Sequence, residues 1–326
     1  MWYLFSLLAL LAWSGSDLFT KIGSRQKDRT SHWKAVVAVG FIMGLHFFIT
    51  LVGGAIIDKT VGVEALPKVV ASLLYTDFRP VHFLRYLPVA LLYIGAMVLG
   101  YIGLRYIELS ISSPICNCSG ALAFLLCLLF GLTDKEDVTP LVIVGVALVT
   151  VGIVALGIVE RNEDDLAKAA RQEGNDRKYE KSLLAFLLPV AYLVIDALGT
   201  VGDEWIFTLT DRAGEAVIGD YAANSAYELT FFLIALGAAA YLKFAKREPI
   251  FATNRAMFVG GVCETVGQVF YMAVMFSDFS VGMVIISAYC ALSVVWSRIF
   301  LKEKLSLWHY AAIAVTFAGI VCLGDA

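Results

Sequence analysis

Ten times along this chain of 326 residues there recurs an apolar run long enough to cross a membrane, a ~30 Å hydrocarbon layer requiring roughly 20 helical residues. In lipid a backbone must satisfy its own hydrogen bonds, and an open chain does so only as helix. The expected fold class is therefore all-α integral membrane, with ten transmembrane helices near residues 2–22, 34–57, 87–106, 112–132, 138–159, 182–201, 221–242, 256–276, 280–300 and 306–323. Hydrophobic residues make up 60% of the chain and charged residues 16%, which excludes an ordinary soluble domain. The first run follows Met1 with no basic region, and no small-residue cleavage site precedes Ser24, so it reads as a retained span. Cys116, Cys118, Cys127, Cys263, Cys290 and Cys322 all fall in apolar segments without ligand spacing. They read as small buried residues, and neither a metal site nor a cofactor is expected.

Connections between runs are mostly short, with three exceptions. Residues 160–181, with Glu163, Asp164, Asp165, Arg177 and Lys178, form a charged linker that separates two units, 1–159 and 182–326. The 58–86 connection has Pro67 followed by Val69, Val70, Leu73 and Leu74, the pattern of a short surface helix with proline at its first turn. The 202–220 connection is acidic (Asp203, Glu204, Asp211, Glu215 and Asp220) and reads as a cap over the outer mouth. Of 25 lysines and arginines, 19 fall on one side of the expected bilayer and 6 on the other. The richer side is cytoplasmic by the positive-inside rule, which places both termini outside, in a membrane of the bacterial inner-membrane kind.

An internal repeat is visible. Lys135-Glu136-Asp137-Val138-Thr139 has a counterpart 167 residues later in Lys302-Glu303-Lys304-Leu305-Ser306, and the same shift superposes Gly152 on Gly319, Ser113 on Ser280 and Gly100 on Gly267. A shift of 179 brings Trp13 to Tyr192 and Asp17 to Asp196. Five spans per copy is an odd number, so the second copy is expected to be inverted.

These residues carry a resemblance, over nearly the whole chain, to the drug/metabolite transporter superfamily and within it the EamA-like carriers of ten helices. Trp13 with Lys21 eight residues on resembles the family's Trp-Gly…Lys pattern, and Leu301 to Ser306 leading to Gly319 resembles its Glu-Arg-Leu-Ser loop and following helix. Ser14, Asp17 and Asp137-Val138 depart from the pattern, and members of the family usually have cytoplasmic termini. The resemblance implies a substrate cavity between two inverted five-helix repeats and secondary active transport, with no enzymatic activity. It names no substrate, since the superfamily moves amino acids, sugars, nucleotide sugars and organic cations.

Ionisable residues within spans are costly and mark pathways. The candidates for substrate contact are Glu264, Asp196, Asp17, Gln268, Tyr271, Tyr101, Trp13, Tyr192, Glu228, Asn224 and Asn117. Trp13, Asp17 and Lys21 share one helix face, as do Tyr192, Asp196 and Thr200, and as do Glu264, Gln268 and Tyr271, whose repeat partners are Met97, Tyr101 and Leu104. Lys21, one turn from Asp17, leaves two readings of that acid open: a pathway residue, or half of a snorkelling ion pair. For proton coupling the candidates are Glu264, Asp196 and His46, the last also readable as a histidine bonded to a neighbouring helix. Glu136 and Glu303 read as structural, and Gly40 with Gly44 as a close-packing stripe within the monomer or in a homodimer. Acids beside aromatic rings attract cations. The expected function is therefore alternating-access transport of a small amine, amino acid or organic cation, with protons as a coupling partner and no role for nucleic acid. A sugar, nucleotide sugar or lipid headgroup carrier of the same fold is the alternative. An intramembrane lipid-modifying enzyme fits less well, since Asp-Asp-x-x-Asp and His-Glu-x-x-His are both missing.

Overall fold

The computed structural model describes residues 2–24, 28–106, 109–132, 138–162, 183–249, 255–275, 279–300 and 306–324. Lys135 to Asp137 and Lys302 to Leu305, with Glu136 and Glu303, lie outside the described residues, as does most of the 160–181 linker. Among the described residues the chain is helical, and the single β feature is an antiparallel bridge between Thr210 and Ala216. The helices are α1 (Trp2–Gly23), α2 (Ser31–Thr60), α3 (Lys68–Leu74), α4 (Pro80–Tyr106), α5 (Leu109–Asn117), α6 (Ser119–Phe130), α7 (Pro140–Asn162), α8 (Leu183–Thr208), α9 (Asp220–Ala240), α10 (Arg255–Met275), α11 (Phe279–Ser287), α12 (Tyr289–Phe300) and α13 (Leu307–Gly324). Five stretches, in α1, α2, α4, α9 and α10, are long and apolar enough to cross a membrane. Four shorter apolar stretches, 115–130, 140–156, 284–296 and 307–323, accompany them.

Two expected spans are each divided. The 112–132 run is α5 and α6, hinged at Cys118, whose amide turns back to the Ile115 carbonyl, while the Asn117 amide group donates to the Ser113 carbonyl at 2.8 Å. The 280–300 run is α11 and α12, hinged at Ala288, whose amide turns back to Ile285 in the same way. Both hinges substitute a tighter i to i−3 bond for the α-helical one.

The 202–220 segment differs from its expected role as an acidic cap. Helix α8 runs on to Thr208, so Asp203 and Glu204 are helical, Asp220 is the first residue of α9, and only Asp211 and Glu215 lie in the turn between. The reason is that Asp203 continues the buried face of Asp196 and Thr200, where three tyrosine hydroxyls receive it. Pro67 caps α3, which buries Ala71 and Ser72 and leaves Val70 and Leu74 exposed.

Small residues fix which helices meet. The packed pairs include α1 with α10, α4 with α8, α2 with α9, α7 with α13, α2 with α10 and α4 with α9. A methyl group added at Gly40 would meet the Phe231 carbonyl oxygen at 2.8 Å, so the Gly40/Gly44 stripe packs against α9 within the chain. Tyr192 lies over Gly100, and Trp13 lies over Gly267. In the first turn of α2, Lys34 pairs with Asp28 and Glu248, each at 2.6 Å, tying α2 to the segment that follows α9. Much of the outward surface of the helices is apolar, Leu45, Phe48, Ile49, Val52 and Ile56 forming such a face on α2.

Candidate functional site

A cavity of about 120 Å³ lies where α1, α4, α8 and α10 approach one another beside the two hinged pairs. Space of that size holds several waters or a small metabolite, a single water needing roughly 10–15 Å³ on the same measure. Helix phase explains its wall. Asp17 on α1, Asp196 on α8 and Glu264 on α10 all line it, as do Trp13, Asn117, Tyr192, Thr200, Gln268 and Tyr271. From α4 come Met97, Tyr101 and Leu104, one face at helical spacing, with Tyr93 one turn earlier. Among the described residues lining the cavity there are three carboxylates, seven aromatic rings and no lysine, arginine or histidine. The rings are packed on one another. Trp13 lies 5.2 Å from Tyr271 and 6.0 Å from Tyr289, centroid to centroid, and Tyr93 lies 6.1 Å from Tyr271.

The acids are served by hydroxyl groups. Asp17 Oδ2 accepts from Ser113 at 2.9 Å and from Ser293 at 3.1 Å, one donor from each half of the chain. Asp196 Oδ2 accepts from Ser119 at 2.6 Å. Glu264 stands beside the Ser16 hydroxyl, within electrostatic reach of Asp17 and Asp196. Lys21 does not snorkel to the interface: it is 3% exposed, and its ammonium donates to the Leu104 carbonyl, near the end of α4, at 3.2 Å. On the wall, the Tyr101 hydroxyl and the Gln268 amide nitrogen have no hydrogen-bond partner among the described residues, and buried polar atoms of this kind are ordinarily satisfied by something.

Three of the sequence-derived candidates lie apart from this cavity. Glu228, Asn224 and His46 form their own cluster between α9 and α2: Glu228 Oε1 sits 2.7 Å from His46 Nδ1 and accepts from Asn224 at 3.0 Å. The other imidazole nitrogen lies 3.1 Å from the Leu73 carbonyl, which can only accept, so Nε2 carries a proton and the ring bridges α9 to the end of α3.

The residue that sequence reasoning missed is Asp203. It is fully buried (0% exposed), one turn beyond Thr200, and its carboxyl takes hydroxyls from Tyr86 and Tyr93 on α4 and from Tyr271 on α10. Tyr93 and Tyr271 are at once its partners and part of the cavity wall. A signal was present, since Asp196, Thr200 and Asp203 recur at helical spacing. The charged run after residue 201 masked it.

No protein-family profile matches the chain, and no curated protein matches its sequence. Twenty-seven solved chains match its fold. One of them, a crystal structure 14% identical in sequence, aligns over 99% of this chain and 98% of its own length with a TM-score of 0.61. At that identity the likeness shows the fold alone.

Proposed function

We propose that this protein is a secondary transporter of a small cationic metabolite, an amine or organic cation, working by alternating access around the cavity between α1, α4, α8 and α10. The observation that carries the reading is the chemistry of the cavity wall: among its described residues, three carboxylates and seven aromatic rings with no base. A carboxylate supplies a direct charge partner, and a ring face adds roughly 0.5–2 kcal/mol for an ammonium. A ligand would also occupy the Tyr101 hydroxyl and the Gln268 amide, which no described residue serves.

The reading includes ten spans in two inverted five-helix repeats and membership in the EamA-like branch of the drug/metabolite transporters, in a bacterial inner membrane with both termini outside. The packing pattern supports the repeats. Exchanging α1 with α8, α2 with α9, α4 with α10, α5 and α6 with α11 and α12, and α7 with α13 turns the α1–α10 contact into the α8–α4 contact, and α2–α10 into α9–α4. The α2–α9 and α7–α13 contacts map onto themselves. The hinges at Cys118 and Ala288, and the ring-over-glycine pairs Tyr192–Gly100 and Trp13–Gly267, follow the same exchange. Symmetric halves meeting at a midplane cavity are the arrangement that rocking transporters use.

The test is a thermal-stability screen of the purified chain against tetramethylammonium, putrescine, lysine, glutamate, glucose and a nucleotide sugar, followed by counterflow in vesicles. Stabilisation by the cations, weakened in E264Q, is the expected result. Stabilisation by glucose or glutamate alone would overturn the assignment of substrate class.

A further inference from the structure

Beside the cavity, the group formed by Asp203, Tyr86, Tyr93, Tyr271 and Thr200 contains more oxygen contacts than protons to fill them. Tyr86 donates to Asp203 Oδ1. The remaining oxygens make five contacts: Tyr93 with Asp203 Oδ2, Tyr271 with Asp203 Oδ2, Tyr93 with Tyr271, Tyr93 with Thr200, and Thr200 with the Asp196 carbonyl. Each hydroxyl has one proton to give, so Tyr93, Tyr271 and Thr200 serve three of the five. A neutral Asp203 carboxyl supplies a fourth, donating from Oδ2 to a tyrosine oxygen. The surroundings favour this form. Among the described residues, the titratable groups that face Asp203 are Tyr86 and Tyr93 from α4, Tyr271 from α10 and Tyr227 from α9, with Asp196 and Glu204 on α8 itself. None of these is a base. Every charge among them is negative, and burial is complete. An ionised carboxylate in such a place has no cation to repay its desolvation.

Resting on the transport reading above, we propose that Asp203 and its three tyrosines are a proton site separate from the substrate carboxylates, exchanging its proton with the cavity through Tyr93 and Tyr271. The relay balances. As Asp203 passes its proton to the Tyr93 oxygen, Tyr93 releases its own to water in the cavity, directly or through Thr200, which gives up its hydroxyl proton to that water as it takes one from Tyr93, and each hydroxyl is neutral before and after. The net change is one carboxyl proton delivered to the cavity and one carboxylate left behind, which is the charge exchange a proton-for-cation antiporter needs. The site is placed for this role and not for binding substrate, because Tyr93 and Tyr271 line the cavity while Asp203 and Tyr86 do not.

The first test needs no substrate: infrared difference spectra of the full chain in lipid, titrated across neutral pH, for wild type and D203N. The expected result is a neutral-carboxyl C=O band present in wild type and lost in D203N. Identical carboxyl bands in the two proteins would overturn the proposal. Should D203N fail to fold, Y86F decides, since loss of the donor to Oδ1 shifts the neutral-carboxyl C=O band if Asp203 holds the proton and leaves that band unmoved if it does not. The second test uses vesicles and tetramethylammonium, a cation with no proton of its own. D203N is expected to keep tetramethylammonium counterflow and to lose its acceleration by an opposing pH gradient; a D203N protein that still responds to the gradient as wild type does refutes the site. Absence of counterflow in wild type with every cation tested would defeat the transport reading, and the infrared result then judges the proton site by itself.

Discussion

The seam between α7 and α13 offers a quantitative check on the packing. An ideal Cβ at Gly319 would lie 2.7 Å from the Val149 amide nitrogen and 2.9 Å from the Gly145 carbonyl oxygen. Both are backbone atoms, so no flexible side chain can swing away, and ordinary contact begins only at 3.4 Å. G319A must therefore move the helices apart by about 0.7 Å, and a gap of roughly 0.5–1 Å forfeits a quarter to a half of each dispersion well along the seam. Overpacking of this kind costs about 1–3 kcal/mol, against a helix-propensity gain of up to ~1 kcal/mol for replacing glycine by alanine. Gly95 in α4 provides the control, since a Cβ there meets nothing within 4 Å. G95A collects the propensity gain alone, so the difference between the two variants isolates the seam at about 1–3 kcal/mol. The assay is reversible unfolding of the full chain in dodecyl maltoside titrated with sodium dodecyl sulfate. G319A should unfold earlier than wild type, or at most level with it, and G95A level or later. Equal midpoints for the two variants would refute backbone-to-backbone contact at this seam.

Other outcomes follow from the same structure. H46L strands the fully buried Glu228, and breaking a buried pair by removing one partner costs roughly 3–5 kcal/mol; H46L/E228Q should recover most of that loss in the same unfolding assay, and no recovery would mean that the cost arises from packing alone. At the α2 entrance, hydrogen bonds from Lys34 and Thr30 overcome the upward push of partial burial and hold the Asp28 carboxyl below its ordinary value. Bonds from the same two residues lower Glu248. Depressed acids contribute stability that is complete above their unfolded values, near pH 4, and is lost as pH falls through the folded ones. The stability gap between wild type and K34M, of the surface-pair order of ~0.3–1 kcal/mol, should therefore close on acidification below about pH 4, and a gap independent of pH would show that the pairs contribute nothing. D196N should weaken tetramethylammonium binding by about tenfold or more, a tenfold change being 1.4 kcal/mol, whereas S119A, which removes only the hydroxyl on that carboxylate, should change it less; equal effects would place Asp196 outside the cation's reach.

Much of the helical layout was legible because rare polar residues in apolar runs carry phase information. Tyr192, Asp196 and Thr200 could be placed on one face from spacing alone, and all three line the cavity. Glu264, Gln268 and Tyr271, with their counterparts Met97, Tyr101 and Leu104, also stand on its wall. Hydropathy failed where a helix ends in charge. Asp203 and Glu204 look like loop residues in any window average, and only the three tyrosines from α4 and α10 make a buried carboxyl tolerable there. These partners are 68–117 residues away in sequence, beyond what local pattern can reveal. Glu228 and His46 were visible as polar residues in apolar spans, but nothing local showed that they satisfy each other across α9 and α2, away from the cavity. The hinges at Cys118 and Ala288 were invisible for a related reason, since a turn of i to i−3 bonds leaves composition and length unchanged.

The choice of partner for the buried acids bears on what the cavity can hold. A lysine or arginine beside Asp17, Asp196 or Glu264 would neutralise the carboxylate permanently, and the cavity would then present no net charge to a ligand. The hydrogen-bond donors seen on Asp17 and Asp196 are serine hydroxyls, and Lys21, although within electrostatic reach of Asp17, directs its ammonium to a backbone carbonyl. A hydrogen bond to a charged group returns about 1.5–3 kcal/mol, while burying a carboxylate costs several. Hydroxyls therefore hold each acid in place without repaying its desolvation in full. On the proposed function, the shortfall is available to a mobile cation, which would complete the partnership when it arrives and release it on leaving. On the transport reading, a site kept short of positive charge binds its cation no more tightly than release on the other side requires.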